Sequence, residues 1–220
     1  MAKTITAMLI GIAVSEGKIK SIDDPVSTYV PGLANAEYGK TSIRDLLHMS
    51  SGVAFSETYD GQDDIARLSR DLFGEPGKDP VASVAQFDTR AAPPGTKWHY
   101  ASIETEILGL VLRSATAVPV ADYLHVRIWD AIGAEADAAW AIDGTGQEIA
   151  FCCFNATLRD YARLGRLLAH DGAWEGRQLI PRQWLLDATM VKPTDGHLAP
   201  GTLGDVTILS GGVTAASPDE

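Results

Sequence analysis

The feature that most constrains the fold is an apolar run that starts almost at the first residue. Residues 5–14 read ITAMLIGIAV, and the run closes at Ser15, Glu16 and Gly17, where Gly17 suits a helix C-terminal cap. A helix that is apolar nearly all round belongs in a core, so other elements must pack around it. The run is shorter than the roughly 20 residues that a membrane-spanning helix needs, and we predict no membrane span.

The rest of the chain predicts further helices and little sheet. Capping residues with an acidic residue in the first turn mark helix starts. They stand at Ser42 with Asp45, Ser102 with Glu104, and Thr157 with Asp160. The last of these helices is expected to bury Leu158, Tyr161, Ala162, Leu164 and Leu168. Other helices are expected over residues 64–73, 120–129 and 182–189.

Sheet is expected mainly as one hairpin, in which residues 138–142 and 148–153 flank the turn sequence DGTG. After Pro193 the residues Gly, Ala, Ser and Thr dominate, and only residues 206–209 resemble a strand. We therefore expect one domain over residues 1–195, followed by a weakly structured tail over residues 196–220.

The net charge argues against certain classes of partner, and the cysteine content indicates whether disulfides support the fold. The 29 acidic and 18 basic residues give a net charge of −11, which argues against a nucleic-acid or anionic-membrane partner. The two cysteines, Cys152 and Cys153, are adjacent. Because vicinal cysteines rarely bridge each other, we expect no disulfide framework.

No metal site and no organic cofactor are predicted. The histidines show no metal-ligand spacing with one another or with cysteine. They are His48, His99, His125, His170 and His197. The chain also has no glycine-rich phosphate loop and no Gly-x-Ser-x-Gly nucleophile elbow.

Two residues remain as candidate proton carriers. Lys3 lies on the first turn of the apolar helix, and Tyr100 stands between a Pro-Pro-Gly turn and a helix start. Taken singly, such a lysine is commonly a terminal or snorkelling residue and such a tyrosine a packing residue. Their chemical interest comes from the motifs around them.

Several segments, in order, resemble the landmarks of one family. They are MAKT with the apolar helix that ends in SEGKI, then TSIRDLLHMSSGV (residues 41–53), PPGTKWHYAS (93–102), ATLRDYARLGRLL (156–168) and GAWEGRQLIP (172–181). Together they resemble the serine β-lactamase-like hydrolases, in particular the 6-aminohexanoate-dimer hydrolase and esterase branch, which is related to class C β-lactamases. The resemblance covers residues 1–195.

The resemblance implies an α+β, serine β-lactamase/transpeptidase-like fold. This fragment would hold mostly the helical region, with much of the central antiparallel sheet missing. We therefore expect exposed apolar surface on the first helix, where the sheet would lie. The family's late Lys-Thr-Gly or His-x-Gly motif is not found, and Cys152-Cys153 stands where that branch often has Gly-Gly.

The resemblance also implies roles for site residues. Lys3 becomes the lysine of Ser-x-x-Lys and Tyr100 the tyrosine that shuttles the proton, so the nucleophilic serine falls one residue before Met1 and the chain as given is expected to be inactive. Ser102 and Tyr59 become substrate-binding residues. For Ser102 a helix cap, and for Tyr59 simple packing, stay open as alternatives.

The implied function is hydrolysis of a small-molecule amide or ester through an acyl-enzyme. Two alternatives stay open. One is a truncated, non-catalytic pseudo-enzyme or binding module that uses the same cleft. The other is a β-lactamase or cell-wall transpeptidase, because both share the site chemistry.

Overall fold

The computed structural model describes residues 1–74, 78–190, 192–198, 202–203, 206–209 and 212–214. The helices are α1 (Ala2–Ser15), α2 (Glu37–Lys40), α3 (Ile43–Leu47), α4 (Asp64–Phe73), α5 (Pro80–Ala85), α6 (Ser102–Thr116), α7 (Val120–Leu124), α8 (Leu158–Ala169) and α9 (Arg182–Thr189). Short 3-10 turns cover Val26–Thr28, Pro31–Leu33 and Pro193–Leu198, and a π-helical turn, His125–Trp129, continues α7.

The strands are short and all antiparallel. They are β1 (Ala139–Trp140), β2 (Phe154–Asn155), β3 (Ala173–Trp174), β4 (Arg177–Gln178), β5 (Thr202–Leu203), β6 (Val206–Leu209) and β7 (Gly212–Thr214). They form the pairs β1–β2 and β3–β4 and the three-stranded sheet β5–β6–β7. The strand expected over residues 206–209 is present as β6. The rest of the predicted tail lies partly outside the described residues, and its boundary at residue 195 stays a prediction.

Helix α6 is the centre of the fold. Every residue from Ser102 to Leu112 is buried, and the helix packs against α1, α3, α4, α5 and α7. Its largest interface is with α1, where Ile5 and Leu9 are fully buried. Each such side chain contributes about 1.5–3 kcal/mol of burial free energy. The α1–α6 pair therefore forms the central part of the buried core.

The expectation of an exposed apolar face on α1 is wrong for the described residues. Ile5 and Ile10 are both 0% exposed. Trp184 of α9 lies over Gly11, so closely that a Cβ at Gly11 would come within 2.4 Å of the indole ring. The indole Nε1 also donates to the Ala7 carbonyl at 3.0 Å. Helix α9 thus covers part of α1 that the sequence left without a partner.

Two of the three predicted caps are confirmed. The Ser42 side chain accepts from the Asp45 N–H, and the Thr157 side chain accepts from the Asp160 N–H. Ser102 is not a cap, because it is already the first residue of α6 and Ala101 precedes it as N-cap without a side-chain hydrogen bond.

The predicted buried face of α8 is confirmed only in part: Leu164 is buried and Tyr161 and Leu168 are partly buried against the core, but Ala162 is exposed. Leu158 is 84% exposed, and the buried residues are Asp160, Leu164 and Leu167. Asp160 is buried because its carboxylate accepts from the Glu135 N–H at 2.9 Å and from Arg163 at 2.8 Å. A satisfied acid thus takes a core position that apolar periodicity alone cannot assign.

The predicted hairpin is only partly formed. Strand β1 pairs with β2, and a single bridge joins Ile142 to Glu148. Residues 149–153 do not form a strand, although Ala141 still accepts from the Ile149 N–H at 2.9 Å and donates to the Cys153 carbonyl at 3.1 Å, so the second predicted strand, 148–153, is wrong. The Trp140 indole donates to the carbonyls of Ile149 and Cys152, at 2.9 and 3.0 Å, so side-chain contacts take the place of strand pairing for these two carbonyls.

The expectation that the two cysteines do not bridge is also wrong. Cys152 and Cys153 are joined by a disulfide. Cys153 has a φ of 63°, so the bridge lies in a tight turn rather than in the extended strand that the sequence predicted. Because it links neighbours, the bridge closes no long loop and is no framework for the fold.

Among the described residues, no single helix is both long and apolar enough to cross a membrane. The segments Ser102–Thr116 and Val120–Trp129 meet the criteria of length and composition only when joined, as a pair bent by 74°.

Candidate active site

A cavity of about 370 Å³ lies where the N-terminal ends of α1 and α6 meet the loop that precedes α4. Its polar wall includes Lys3, Glu57, Tyr59 and Ser102. Its apolar wall includes Ile65, Ala66, Phe73, Phe151 and the Cys152–Cys153 disulfide. Three of the four site residues predicted from the sequence therefore share one cavity. The fourth, Tyr100, lies beside Lys3.

Lys3 is half-buried and held from two sides. Its Nζ donates to the Phe151 carbonyl at 3.0 Å. The same atom lies 5.3 Å from the centroid of the Tyr100 ring and 5.5 Å from that of the Phe151 ring, which are cation–π distances. These contacts fix the amine at the edge of the cavity.

Tyr100 is brought to Lys3 by its chain neighbours. The His99 N–H donates to the Met49 carbonyl at 2.7 Å, and the His99 Nε2 lies 2.7 Å from the Phe55 carbonyl oxygen. Tyr100 itself is 40% exposed. Its backbone is therefore anchored while its ring faces Lys3 and solvent.

Glu57 connects the cavity loop to α6. Its Oε2 accepts from the Ser102 N–H at 2.6 Å, and its Oε1 accepts from the Ser102 hydroxyl at 2.6 Å and from the Tyr59 hydroxyl at 2.5 Å. The Ser102 N–H is one of the first in α6, where backbone donors lack intrahelical partners. Glu57 thus supplies the cap that the sequence analysis assigned to Ser102.

Tyr59 projects from the loop. It is 71% exposed, and its φ of 59° places a non-glycine residue in the left-handed region. The Asp63 carboxylate holds this turn by accepting from the N–H groups of Thr58 and Tyr59, at 2.7 and 2.5 Å. The hydrogen bond to Glu57, then burial, raise the pKa of the Tyr59 phenol. The packing alternative for Tyr59 finds little support in so exposed a side chain.

Two more acids lie on α6 within the core. Burial raises the pKa of Glu104 and of Glu106 to about 8 in each case. Glu106 accepts from the Ala150 N–H at 2.8 Å, and Glu104 accepts from the Ser51 N–H at 3.4 Å. Glu106 thereby ties α6 to the segment next to the residue that holds Lys3.

Segment 149–153 supports the site through its backbone. Besides the Phe151 carbonyl that binds Lys3, the Ala150 carbonyl accepts from the Thr6 hydroxyl at 3.1 Å. Both backbone polar groups of Ala150 are therefore hydrogen-bonded, because its N–H donates to Glu106. The segment links α1 and α6 at the cavity.

Sequence reasoning missed Glu57 and the disulfide wall. Glu57 stands in a polar stretch that looks solvated, and its partner Ser102 lies 45 residues further along the chain, so no local pattern marks the contact. Within the described part of the chain, no group of three or more His, Cys, Asp and Glu side chains is arranged to hold a metal ion.

Comparisons with known proteins show which family this chain belongs to and which relatives it is similar to. The family model described as Beta-lactamase matches residues 1–204. The chain is 26% identical to the 6-aminohexanoate-dimer hydrolase of Paenarthrobacter ureafaciens over 189 residues, which is 84% of this chain and 48% of the relative. It is 29% identical to a putative D-alanyl-D-alanine carboxypeptidase of Salmonella typhimurium over 126 residues, 54% of this chain and 28% of the relative.

A solved structure gives a similar result. A putative 6-aminohexanoate-dimer hydrolase from Bacillus anthracis superposes with a TM-score of 0.81 and 28% identity, over 96% of this chain and 56% of that one. The chain thus spans about half the length of these two hydrolase relatives. The likeness confirms the α+β fold class predicted from the sequence, with the described part helix-rich and its sheets short.

Proposed function

Because this chain belongs to the beta-lactamase family, we propose that it forms part of a serine hydrolase that cleaves small amides or esters through an acyl-enzyme. The observation that carries the proposal is the placement of Lys3 beside Tyr100 at the edge of the cavity. An amine next to a phenol, at the start of a helix, can act as the general base that removes the proton of a serine hydroxyl.

The serine belongs one helical turn before Lys3, at the position that precedes Met1. There its hydroxyl lies at the N-terminus of α1, where the helix dipole favours the negative charge of a tetrahedral intermediate. Lys3, in its neutral amine form, accepts the serine proton as the oxygen attacks the substrate carbonyl carbon. Tyr100 gives its proton to the leaving nitrogen or oxygen as the carbonyl–leaving-group bond breaks, and the Lys3 ammonium returns a proton to the Tyr100 oxygen.

Deacylation reverses the roles. Water attacks the acyl carbon, loses its proton to the Lys3–Tyr100 pair, and the serine oxygen takes a proton back as it departs. Tyr59 and Ser102 line the cavity and contact the substrate. With Lys3 as the lysine of Ser-x-x-Lys, the nucleophilic serine is not among residues 1–220.

The test compares the 220-residue chain with the same chain carrying a serine directly before Met1. Both are treated with a fluorophosphonate, which labels activated serines. We expect labelling and ester hydrolysis only in the serine-bearing chain, and a loss of about 10²–10⁴ in hydrolysis rate for its Tyr100→Phe variant. Tyr161→Phe is the matched control, because that hydroxyl donates to the Phe154 carbonyl away from the cavity.

Labelling of the 220-residue chain would contradict the placement of the nucleophilic serine three residues before Lys3. A folded serine-bearing chain that neither labels nor hydrolyses would favour the non-catalytic binding module instead. Unchanged hydrolysis in Tyr100→Phe would remove Tyr100 from the proton path.

A further inference from the structure

Glu57 differs from the other acids of its loop in where its hydrogen bonds go. Asp60 and Asp63 accept from groups within residues 58–66, so they shape the loop itself. Glu57 instead reaches the first residue of α6 and the exposed Tyr59 at once. It is a cavity-lining carboxylate whose partners are the two residues proposed to contact substrate.

The geometry also fixes the direction of two protons. The Ser102 and Tyr59 hydroxyls both donate to Oε1 of Glu57. With both hydrogens directed to one oxygen, Glu57 holds the Tyr59 and Ser102 hydroxyls next to each other. Bonds to an ionised acceptor are stronger than neutral ones, so a carboxylate serves here better than an amide would.

We propose that Glu57 is a positioning residue for substrate binding, which sets the place and proton direction of the Tyr59 and Ser102 hydroxyls across the cavity. The inference rests on the proposed function for its kinetic part only. Its structural part concerns the hydroxyl of Tyr59 and is tested without turnover.

The loop needs such a tether. Tyr59 is 71% exposed and has a left-handed backbone, so the packing of its own side chain does not fix its ring. Asp63 holds the backbone of the turn, but its contacts end at the Tyr59 N–H. The bond to Glu57 is what fixes the far end of the side chain, next to Ser102.

The first experiment titrates Tyr59 in the 220-residue chain. Phenolate absorbance of the Tyr59→Phe variant is subtracted to isolate the Tyr59 signal. In Glu57→Gln, the pKa of Tyr59 is expected to fall toward the ordinary value of 10.0, because the anion that raises it is gone. Asp60→Asn is the matched control: it removes one negative charge from the same loop, and its oxygens contact Thr58, Gln62 and Asp63 rather than Tyr59.

The second experiment measures ester hydrolysis by the serine-bearing chain. Glu57→Gln is expected to raise KM about tenfold while kcat changes less than about threefold, because Glu57 contacts neither Lys3 nor Tyr100. Asp60→Asn is expected to keep both constants. Circular dichroism melts establish that each variant is folded.

The proposal is overturned if Glu57→Gln leaves the Tyr59 titration unchanged, if Asp60→Asn shifts it equally, or if kcat falls while KM stays. A serine-bearing chain without activity would refute the proposed function, yet the titration would still decide whether Glu57 holds Tyr59.

Discussion

Burial of the Glu106 carboxyl group in α6 predicts how strongly the stability of the fold depends on pH. Glu106 is 1% exposed, and burial raises its pKa from an ordinary 4.5 to about 8, an effect that the Ala150 N–H bond only partly offsets. The carboxyl group is therefore protonated in the folded protein at a pH where it is ionised in the unfolded chain. Replacing it by Gln keeps the shape and the acceptor oxygen but removes the titration.

The sign follows from proton linkage. Between the two pKa values the folded state binds one more proton than the unfolded state, so stability is full below the unfolded pKa and falls as the pH rises toward about 8. Each pH unit between the two pKa values lowers the unfolding free energy by about 1.4 kcal/mol. From about pH 5 to about pH 8, Glu106 alone removes about 4 kcal/mol, which is a large part of a typical folding free energy.

Urea unfolding followed by tryptophan fluorescence measures this directly. Glu106→Gln is expected to flatten the decline in unfolding free energy between about pH 5 and about pH 8 by up to about 4 kcal/mol, while the two proteins differ little at the acid end. Glu104 contributes its own decline in both proteins. The exposed Glu175→Gln is the charge-matched control. Equal pH slopes in Glu106→Gln and in the unmodified chain would refute the reasoning.

Three shorter predictions follow. Gly11→Ala is expected to destabilise the fold by about 1–3 kcal/mol, because the new methyl group meets the Trp184 ring; a thermal melt measures it, and an unchanged Tm would show that the α1–α9 contact is loose. Thr157→Ala is expected to cost about 0.5–2 kcal/mol through loss of the α8 cap, whereas Thr157→Ser keeps most of it; equal losses would contradict the capping role. Iodoacetamide is expected to alkylate Cys152 and Cys153 only after a phosphine has reduced their disulfide, and mass spectrometry that finds free thiols in the untreated chain would contradict the bridge.

Local chemistry explains which helices were predictable. The helix starts at Ser42 and Thr157 could be predicted from the local sequence, because each capping side chain and the N–H it binds lie within one turn. The predicted bounds 64–73 match α4, whose start is capped by Asp63, and the bounds 182–189 match α9, which follows Pro181 without a side-chain cap. The pairing of Lys3 with Tyr100 came from family resemblance, since nothing local connects two residues so far apart.

The failures are long-range contacts. Ser102 carries the residue type of a cap, but a carboxylate 45 residues away caps the helix instead. Residues 148–153 have the composition of a strand, yet the carbonyls of Ile149 and Cys152 accept from the Trp140 indole. Asp160 holds a core position because other residues satisfy its charge. In each case a tertiary partner outweighs a correct local preference.

The backbone contacts of segment 149–153 bear on how this site can change through mutation. Lys3 and Thr6 bind carbonyl oxygens there, which every amino acid provides whatever its side chain. Side chains at Cys152 and Cys153, which form part of the cavity wall, can thus be exchanged without removing the groups that hold the amine. The cavity wall and the position of Lys3 therefore depend on different parts of one segment, the side chains and the backbone, so a substitution in the wall can change the shape of the cavity without moving Lys3.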